Sequence, residues 1–316
     1  MATAHNAQSR AGAEPLEKDY GNKGSANGYE NNGANTYHMN DLNTDSDMAL
    51  KRIRTAGSIS ISPELFEKIY LSPQNAVKGD LRKTFGNPTP LALVGFLLCL
   101  SPLSCDLMGW RGAGGNGAAG IGSYFFFGGL LMLLGGFLEF ILGNTFPFIV
   151  FMSFGAFWLS FAATLQPFYA ASASYAPNPV TSPAEGLATV GFNASFGFFF
   201  VFMAVLCVIY LVCSLRTNAV FVVIFFTLVL GFGLLAGAYW QTANGITHMD
   251  TSKARLAHRL TVAAGACTFV TSMAGWWIFF AIMLAALDFP FQLPVGDLST
   301  MITGASERAQ VRQNVV

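Results

Sequence analysis

Residues 127–159, FGGLLMLLGGFLEFILGNTFPFIVFMSFGAFWL, contain two long apolar runs joined by the short polar link Gly143-Asn144-Thr145. An apolar run of more than about 18 residues indicates a membrane-spanning helix, and both runs pass that length once their flanks are included. Apolar segments of this kind lie at approximately 89–109, 121–142, 146–166, 194–215, 218–240 and 260–287. The sequence therefore predicts six membrane-spanning helices.

The composition also favours a membrane protein. Of 316 residues, 53% are hydrophobic and 11% are charged, and the mean hydropathy is +0.48. A chain this apolar is not typical of a soluble globular domain, so we expect an all-α integral membrane protein in contact with lipid. Its 17 basic residues balance its 17 acidic residues, which leaves no net charge to attract nucleic acid. We expect no nucleic-acid partner.

The hydrophilic ends flank a central domain. Residues 1–86 are rich in Asn, Gly, Ser and charge, which predicts a largely disordered cytosolic tail without a signal peptide. Within this tail, residues 63–70 are a short helix candidate, and Ser58, Ser60 and Ser62 follow basic residues, so they are either phosphorylation sites or ordinary tail residues. Residues 87–287 form the predicted six-helix domain, and residues 288–316 form a cytosolic C-terminal tail.

The basic residues predict the orientation in the membrane. Ten of the 17 precede the first helix, and Arg216 lies in the link between the fourth and fifth helices. Cytosolic loops carry an excess of Lys and Arg, so both termini are expected in the cytosol of a multi-pass protein. Three basic residues in the link after the fifth helix oppose this orientation: Lys253, Arg255 and Arg259.

No catalytic or cofactor motif emerges from the residue spacing. The five cysteines lie in apolar or nearly apolar segments without the spacing of metal ligands, which favours small buried side chains over a metal site or a disulfide framework. No nucleophile and base occur at a spacing that indicates an active site. We expect neither a cofactor nor an enzymatic activity.

Glu139 is the only acidic residue between Asp106 and Glu185. A carboxylate inside the hydrocarbon costs several kcal/mol, about 2.5–3.5 on insertion scales, so it is retained where it faces a partner, a cavity or water. Two interpretations remain open. Glu139 either serves a transport path, where it organises polar groups or exchanges a proton, or it is a helix-end residue. In the second case it reaches the lipid headgroups or caps a neighbouring backbone group, since Gly143 and Asn144 lie one turn away.

The first helix begins with Asn87-Pro88-Thr89-Pro90-Leu91. Proline in a first turn costs no hydrogen bond, and an asparagine side chain can accept an orphan amide, so this pentapeptide predicts a strong helix start. The same geometry allows a second role. Free amide groups at a helix start attract carboxylates, so the start of this helix could also favour an anion.

The NPxPL pattern, the glycine pairs before Glu139, the sequence Gly143-Asn144-Thr145-Phe146 and the Ser-aromatic-Gly-x-Phe-Trp-Leu pattern resemble the acetate uptake transporter family. The resemblance covers roughly residues 80–287 and favours a fungal member. It implies six-helix subunits that assemble as a homohexamer in the plasma membrane. It also implies a substrate path along Asn87, Pro88, Pro90, Leu91, Glu139, Asn144 and Thr145.

The resemblance further implies a narrow point in the pore, formed by Phe96, Phe154 and Leu228 on three helices. Other family members have Tyr where this chain has Phe154, so the narrowing is expected to be wholly apolar. An apolar constriction resists ions because it does not hydrate them. Met132, His258 and Trp277 mark further departures from the family pattern.

The function that the resemblance implies is transport of acetate and related short-chain monocarboxylates. Either protons are transported together with the anion, or the undissociated acid is itself the transported species. Two alternatives stay open. The chain could be a membrane organiser or sensor that does not transport, or it could carry another small solute such as ammonium or ammonia.

Several local expectations concern helix ends and contacts. Pro102 and Asp106 are expected to interrupt the end of the first helix, and the loop 167–193 to cover the surface loosely. The link containing His248 and Asp250 is expected to be long. Small-residue spacing predicts close helix contacts, either within one subunit or between subunits, at Gly128, Gly129, Gly135, Gly136, Gly231, Gly233 and Gly237.

Overall fold

The computed structural model describes residues 85–298 and Ile302, and the account of the fold concerns these residues. Each of six helices is long and apolar enough to cross a membrane, which confirms the predicted all-α architecture. They are α1 (Thr89–Met108), α2, α3 (Thr145–Leu165), α4 (Val190–Ser214), α5 (Ala219–His248) and α6 (Thr251–Ala286). Helix α2 consists of Ile121–Ser123, a π-helical stretch Tyr124–Leu131, and Met132–Ile141. The helix candidate at 63–70 and the serines at 58, 60 and 62 lie outside the described residues.

Successive helices run in opposite directions, which defines two ends of the bundle. We call the end where α1 begins the near end; α2 finishes there, and α3 and α5 begin there. The far end holds the finish of α1, the start of α2 and the junction between α5 and α6. In the predicted orientation the near end is cytosolic.

The helices form a ring. Helices α1 and α2, α2 and α3, α4 and α5, α5 and α6, and α6 and α1 pack directly against each other. Aromatic side chains link α3 to α4: the Phe157 and Phe199 rings stack with centroids 5.9 Å apart, and the Phe146 and Tyr210 rings meet edge to face at 6.0 Å. Ring closure therefore depends on bulky side chains at this one junction.

Glycine spacing predicted most of the close helix contacts correctly. A Cβ atom on Gly135 would lie 2.7 Å from Ala92 Cβ, and one on Gly231 would lie 3.0 Å from the Thr268 methyl group. Gly128, Gly129 and Gly136 face neighbouring helices in the same way. Gly233 has no neighbour within 4 Å inside the subunit, so a contact there between subunits stays a prediction.

Buried hydroxyl groups add polar contacts between helices. Thr227 on α5 and Thr271 on α6 lie 2.6 Å apart, oxygen to oxygen, and Ser104 on α1 donates to Thr268 at 3.0 Å. Such bonds replace hydration that is absent from the hydrocarbon. They hold α6 in place between α1 and α5.

Two expectations about helix ends are wrong. Helix α1 continues through Pro102 and Asp106 to Met108, and the next residue, Gly109, caps it: its backbone is left-handed (φ 70°) and its amide donates to carbonyls of the last turn. Helices α5 and α6 are separated only by Met249 and Asp250, because the polar residues on either side extend both helices beyond the apolar segments. Asp250 starts α6 by accepting the Ser252 amide at 2.8 Å.

The loop after α3 is also more compact than expected. It contains the 3₁₀ turns Pro167–Tyr169, Ala173–Tyr175 and Pro183–Ala188. A Cβ on Gly186 would lie only 1.7 Å from the Ser172 carbonyl oxygen, so the loop packs closely upon itself.

The described part of the predicted C-terminal tail folds back onto the near end. Asp297 forms an isolated bridge with Asn218, and the Ala219 amide donates to the Gly296 carbonyl at 2.7 Å. Trp277 on α6 donates to the Pro294 carbonyl at 2.9 Å. These bonds attach the chain after α6 to the link between α4 and α5.

Candidate functional site

A buried polar cluster ties three helices together at the near end. The fully buried Glu139 on α2 accepts a hydrogen bond from the Thr89 hydroxyl at the start of α1. Its other oxygen accepts from the Asn144 side-chain amide, just before α3, at 2.5 Å. A carboxylate with a donor on each oxygen satisfies the rule that buried charges carry hydrogen-bonded partners.

The turn between α2 and α3 brings Asn144 to Glu139. Gly143 has φ 76°, a left-handed conformation that favours glycine. Its amide donates to the Phe140 carbonyl at 3.0 Å, and the Asn144 amide donates to the Glu139 carbonyl at 2.9 Å. This pair of bonds is a Schellman motif. The spacing of Glu139 from Gly143-Asn144 therefore has a direct structural cause.

The backbone amides at the start of α1 donate to acceptors within the chain. The Asn87 side chain accepts the Thr89 amide at 2.9 Å, and the Leu91 amide donates to the Pro88 carbonyl at 3.0 Å. Pro90 has no amide hydrogen. The expectation of free amides that attract a substrate carboxylate is therefore not met in this structure, although Asn87 does cap the helix start as predicted.

The other predicted near-end residues surround this cluster without joining its described hydrogen bonds. Pro88 is buried, and Pro90 and Leu91 are half-buried on the first turn of α1. Thr145 begins α3 and is exposed. Their place in a substrate path stays a prediction.

The predicted narrow point is a compact apolar group. Phe96, Phe154 and Leu228 are buried in one hydrophobic cluster, and the Phe96 and Phe154 rings meet edge to face with centroids 5.9 Å apart. At 1.5 Å per residue, these residues lie roughly 10–14 Å from the near-end starts of α1, α3 and α5. The structure thus places them at similar depth, and their role in gating stays a prediction.

A cavity of about 260 Å³, here called the central cavity, lies on the far-end side of this group. Leu228 and Phe157 line it, and the Phe157 ring packs against Phe154 with centroids 6.5 Å apart. Most of its wall is aliphatic or aromatic. The polar side chains in the wall are Asn116, Trp158, Asn193, Tyr239, Thr242, Thr261 and Thr268.

A wider recess of about 540 Å³ lies at the far end, and Asn116, Thr242 and Thr261 line both it and the central cavity. Asp250 and His258 also line this recess. Hydrogen bonds from the Ser252 side chain and backbone amide lower the pKa of Asp250, so this carboxylate stays charged at mildly acidic pH. The recess therefore gives the apolar cavity a polar entrance.

Three side chains were not singled out from the sequence. Thr89 stood within the NPTPL motif, but only the fold shows that its hydroxyl reaches Glu139. Trp158 was part of a family pattern, without a chemical role. Tyr210 packs against Phe154, with centroids 6.4 Å apart, and its hydroxyl lies 3.0 Å from the Ser153 oxygen, which places a phenol beside the apolar group.

The chain resembles several known proteins, and the match to one protein family covers all six helices. Residues 71–300 match the model of the GPR1/FUN34/yaaH family. Protein alcS of Aspergillus fumigatus is 49% identical over 242 residues, which are 77% of this chain and 86% of that protein. Acetate transporter protein patA of Penicillium expansum is 30% identical over 231 residues, 72% of this chain and 85% of the relative. The solved structure of the bacterial acetate channel SatP aligns with a TM-score of 0.49 and 23% identity, covering 67% of this chain and 99% of that one.

Proposed function

The chain belongs to the GPR1/FUN34/yaaH family, and from this membership we propose that it carries acetate and related short-chain monocarboxylates across a membrane. Membership confirms the resemblance drawn from the motifs. The observation that carries the proposal is the extent of the family match, which spans all six helices and includes the near-end cluster and the apolar group. A relative named an acetate transporter supports the choice of substrate.

The proposed path runs through the middle of the helix ring. Solute enters the far-end recess, passes into the central cavity and meets the apolar group of Phe96, Phe154 and Leu228. It then reaches the near end beside Asn87, Pro88, Pro90, Leu91, Asn144 and Thr145. Glu139 stabilises the near-end opening of the path through its hydrogen bonds to Thr89 and Asn144.

The cavity wall favours an uncharged solute. No Lys, Arg, His, Asp or Glu occurs among the described residues that line the central cavity. Burying an ionised carboxylate there without a counter-charge is costly, whereas a neutral acid needs only hydrogen bonds. We therefore propose that acetic acid crosses this region undissociated, so that a proton accompanies each acetate.

The cellular setting is part of the same proposal. The subunit lies in the plasma membrane with both termini in the cytosol and assembles as a homohexamer. Large apolar side chains that are exposed on α2 and α4 supply surfaces for lipid or for neighbouring subunits. No enzymatic step is proposed, because movement of an unchanged acid requires no catalytic group.

Uptake of labelled acetate into liposomes containing purified protein tests the proposal. Wild-type uptake should be faster at acidic than at neutral external pH, because the undissociated fraction is larger. Phe154→Tyr adds a hydroxyl to the apolar group and should change the rate. The absence of uptake in both proteins, although both are folded, would refute acetate transport and favour the organiser or sensor.

Ammonia is the second candidate, because an uncharged cavity also suits this neutral solute. If ammonia were the solute, unlabelled ammonium would not compete with labelled acetate. Ammonia uptake would also rise with pH, since the neutral form of ammonia increases as pH rises. Unlabelled ammonium and unlabelled propionate, added separately to the acetate assay, distinguish the two substrates.

A further inference from the structure

The far-end recess carries charged and titratable groups that the central cavity lacks. Among the described residues, those that line the central cavity include no Lys, Arg, His, Asp or Glu, whereas Asp250 and His258 line the recess. His258 is also exposed, so its ring can exchange protons with water. A solute on the proposed path therefore meets a histidine before it enters a cavity without charged groups.

The recess and the cavity share part of their walls next to this histidine. Asn116, Thr242 and Thr261 line both spaces. His258 and Thr261 are three residues apart on α6, a spacing that places side chains on the same helix face, about 4.5 Å apart along the axis. His258 therefore lies one helix turn outside the wall that the two spaces share.

We propose that protonated His258 binds the carboxylate of a short monocarboxylate in the recess and gives it the proton with which it enters the cavity. This inference rests on the proposed function, because it assigns the source of the proton that accompanies each acetate. In this step an imidazolium N–H bond breaks and the O–H bond of the acid forms. The neutral imidazole then regains a proton from the aqueous phase, so one proton is taken up for each acid that enters.

The surroundings of His258 suit this role at mildly acidic pH. Histidine is the side chain that ordinarily changes charge between pH 5 and pH 8. Asp250 contributes a constant negative charge over this range, because its pKa is lowered. The α5 residues in the recess wall are uncharged, as is Asn116 from the segment after α1. Within the described wall, a change of charge over this range therefore falls to the histidine.

The other charged side chains and histidines described at the far end lie outside the recess wall. On α6 these are Lys253, Arg255 and Arg259. On other segments they are Asp106, Arg111, Glu185 and His248. His248 is exposed at the end of α5 and therefore provides a matched control for His258.

The proposal predicts a particular pH dependence of KM for total acetate. If the neutral acid binds without His258, KM should rise roughly tenfold for each pH unit once the acid is mostly ionised, because binding takes up one proton. If the anion binds to a protonated histidine, the rise begins only where the histidine loses its proton. Wild-type KM should therefore change less than about twofold between pH 5 and pH 6, whereas KM of His258→Gln should rise about five- to tenfold.

Equilibrium exchange of labelled acetate across liposomes containing the purified protein measures this KM. The pH is equal on both sides, so the result does not depend on the orientation of the protein, and exchange in protein-free liposomes is subtracted. KM of the control His248→Gln should follow that of wild type at each pH. The same pH dependence of KM in wild type and His258→Gln overturns the proposal.

A chemical readout on wild-type protein tests the same site even if His258→Gln is unstable. Diethyl pyrocarbonate modifies histidine side chains, and mass spectrometry of the peptides gives the rate for each histidine. Acetate should slow the modification of His258 and leave that of His248 unchanged. Protection of neither histidine, or of both equally, overturns the proposal.

The two readouts keep this proposal apart from the proposed function. An unprotected His258 in a protein that exchanges acetate overturns the role of His258 and leaves acetate transport intact. Protection of His258 in a protein without exchange supports the binding step and refutes transport. A wild type with neither exchange nor protection overturns both.

Discussion

Replacing Glu139 by alanine is expected to destabilise the helix bundle by about 3 kcal/mol. Hydrogen bonds to charged groups contribute about 1.5–3 kcal/mol each, and Glu139 accepts one from Thr89 and one from Asn144. Measured hydrogen-bond contributions in membrane proteins lie at the low end of such ranges, because polar groups of the unfolded chain in the membrane form other hydrogen bonds. Two bonds at the lower value give the stated magnitude.

Glutamine at position 139 should be less harmful. It keeps one carbonyl acceptor, and its amide can donate to the Thr89 oxygen if that hydroxyl rotates. We expect Glu139→Gln to lose about 1–2 kcal/mol, the value of one charge-assisted bond in part replaced by a neutral one. Stability should therefore decrease from wild type to Glu139→Gln to Glu139→Ala, following the number of hydrogen-bond acceptors that remain at position 139.

Thermal unfolding of the purified protein in detergent measures this order. For a domain of this size, 1 kcal/mol shifts the melting temperature by roughly 2–4 °C, so alanine should lower it by about 6–12 °C. Glu185→Gln is the control, since Glu185 is an exposed acid in the loop before α4 and should change stability by less than about 0.5 kcal/mol.

Two outcomes would contradict this reasoning. A melting temperature of Glu139→Ala equal to that of wild type would mean that the near-end cluster does not stabilise the bundle. A Glu139→Gln protein of normal stability whose acetate uptake no longer depends on pH would show that Glu139 exchanges protons. Unchanged pH dependence in that variant is the expected result.

Three further predictions concern the turn, a helix contact and the far-end recess. Gly143→Ala should cost about 1–2 kcal/mol in thermal unfolding, because alanine is unfavourable at φ 76°, whereas Gly122→Ala, with no neighbour within 4 Å and no left-handed backbone, should not. Thr271→Val should lower the free energy of unfolding by about 0.6 kcal/mol, and by at most about 1.7 kcal/mol, because it removes the hydrogen bond to Thr227. A double-mutant cycle with Thr227→Val should show that the two losses are not additive. The pKa of Asp250 is lowered from 3.8, so its carboxylate is charged above pH 3.8 and its contribution to stability is lost only below that pH. The faster uptake at acidic pH should therefore persist in Asp250→Asn, and a flattened pH profile in this variant would contradict the reasoning.

Much of the candidate site was predictable from local patterns. The pairing of Glu139 with Gly143-Asn144 lies within one helix turn, and backbone geometry alone brings these residues together. The helix start at Asn87 was predictable for the same reason. It was not predictable that the amides of the first turn already have acceptors, because this depends on the conformation of Asn87 and Thr89.

Contacts between distant segments were beyond the sequence. Thr89 and Glu139 are 50 residues apart, and nothing local specifies that a threonine hydroxyl meets that carboxylate. The junction of α5 and α6 was placed wrongly because hydropathy marks where the lipid ends, whereas helices continue through polar residues into water. The stacking of Tyr124 on Trp158, 34 residues apart in the chain, was likewise visible only in the fold.

The sequence by itself determined that this chain is a six-helix membrane protein. Hydrocarbon leaves a spanning segment few alternatives, because each backbone amide and carbonyl must be paired within the helix, and the length of an apolar run then decides each crossing. The tertiary structure decided which side chains meet inside the ring. That outcome depends on the rotation and depth of each helix, which are set by packing at positions such as Gly128 against Trp158 rather than by hydrophobicity, and those contacts shape the central cavity.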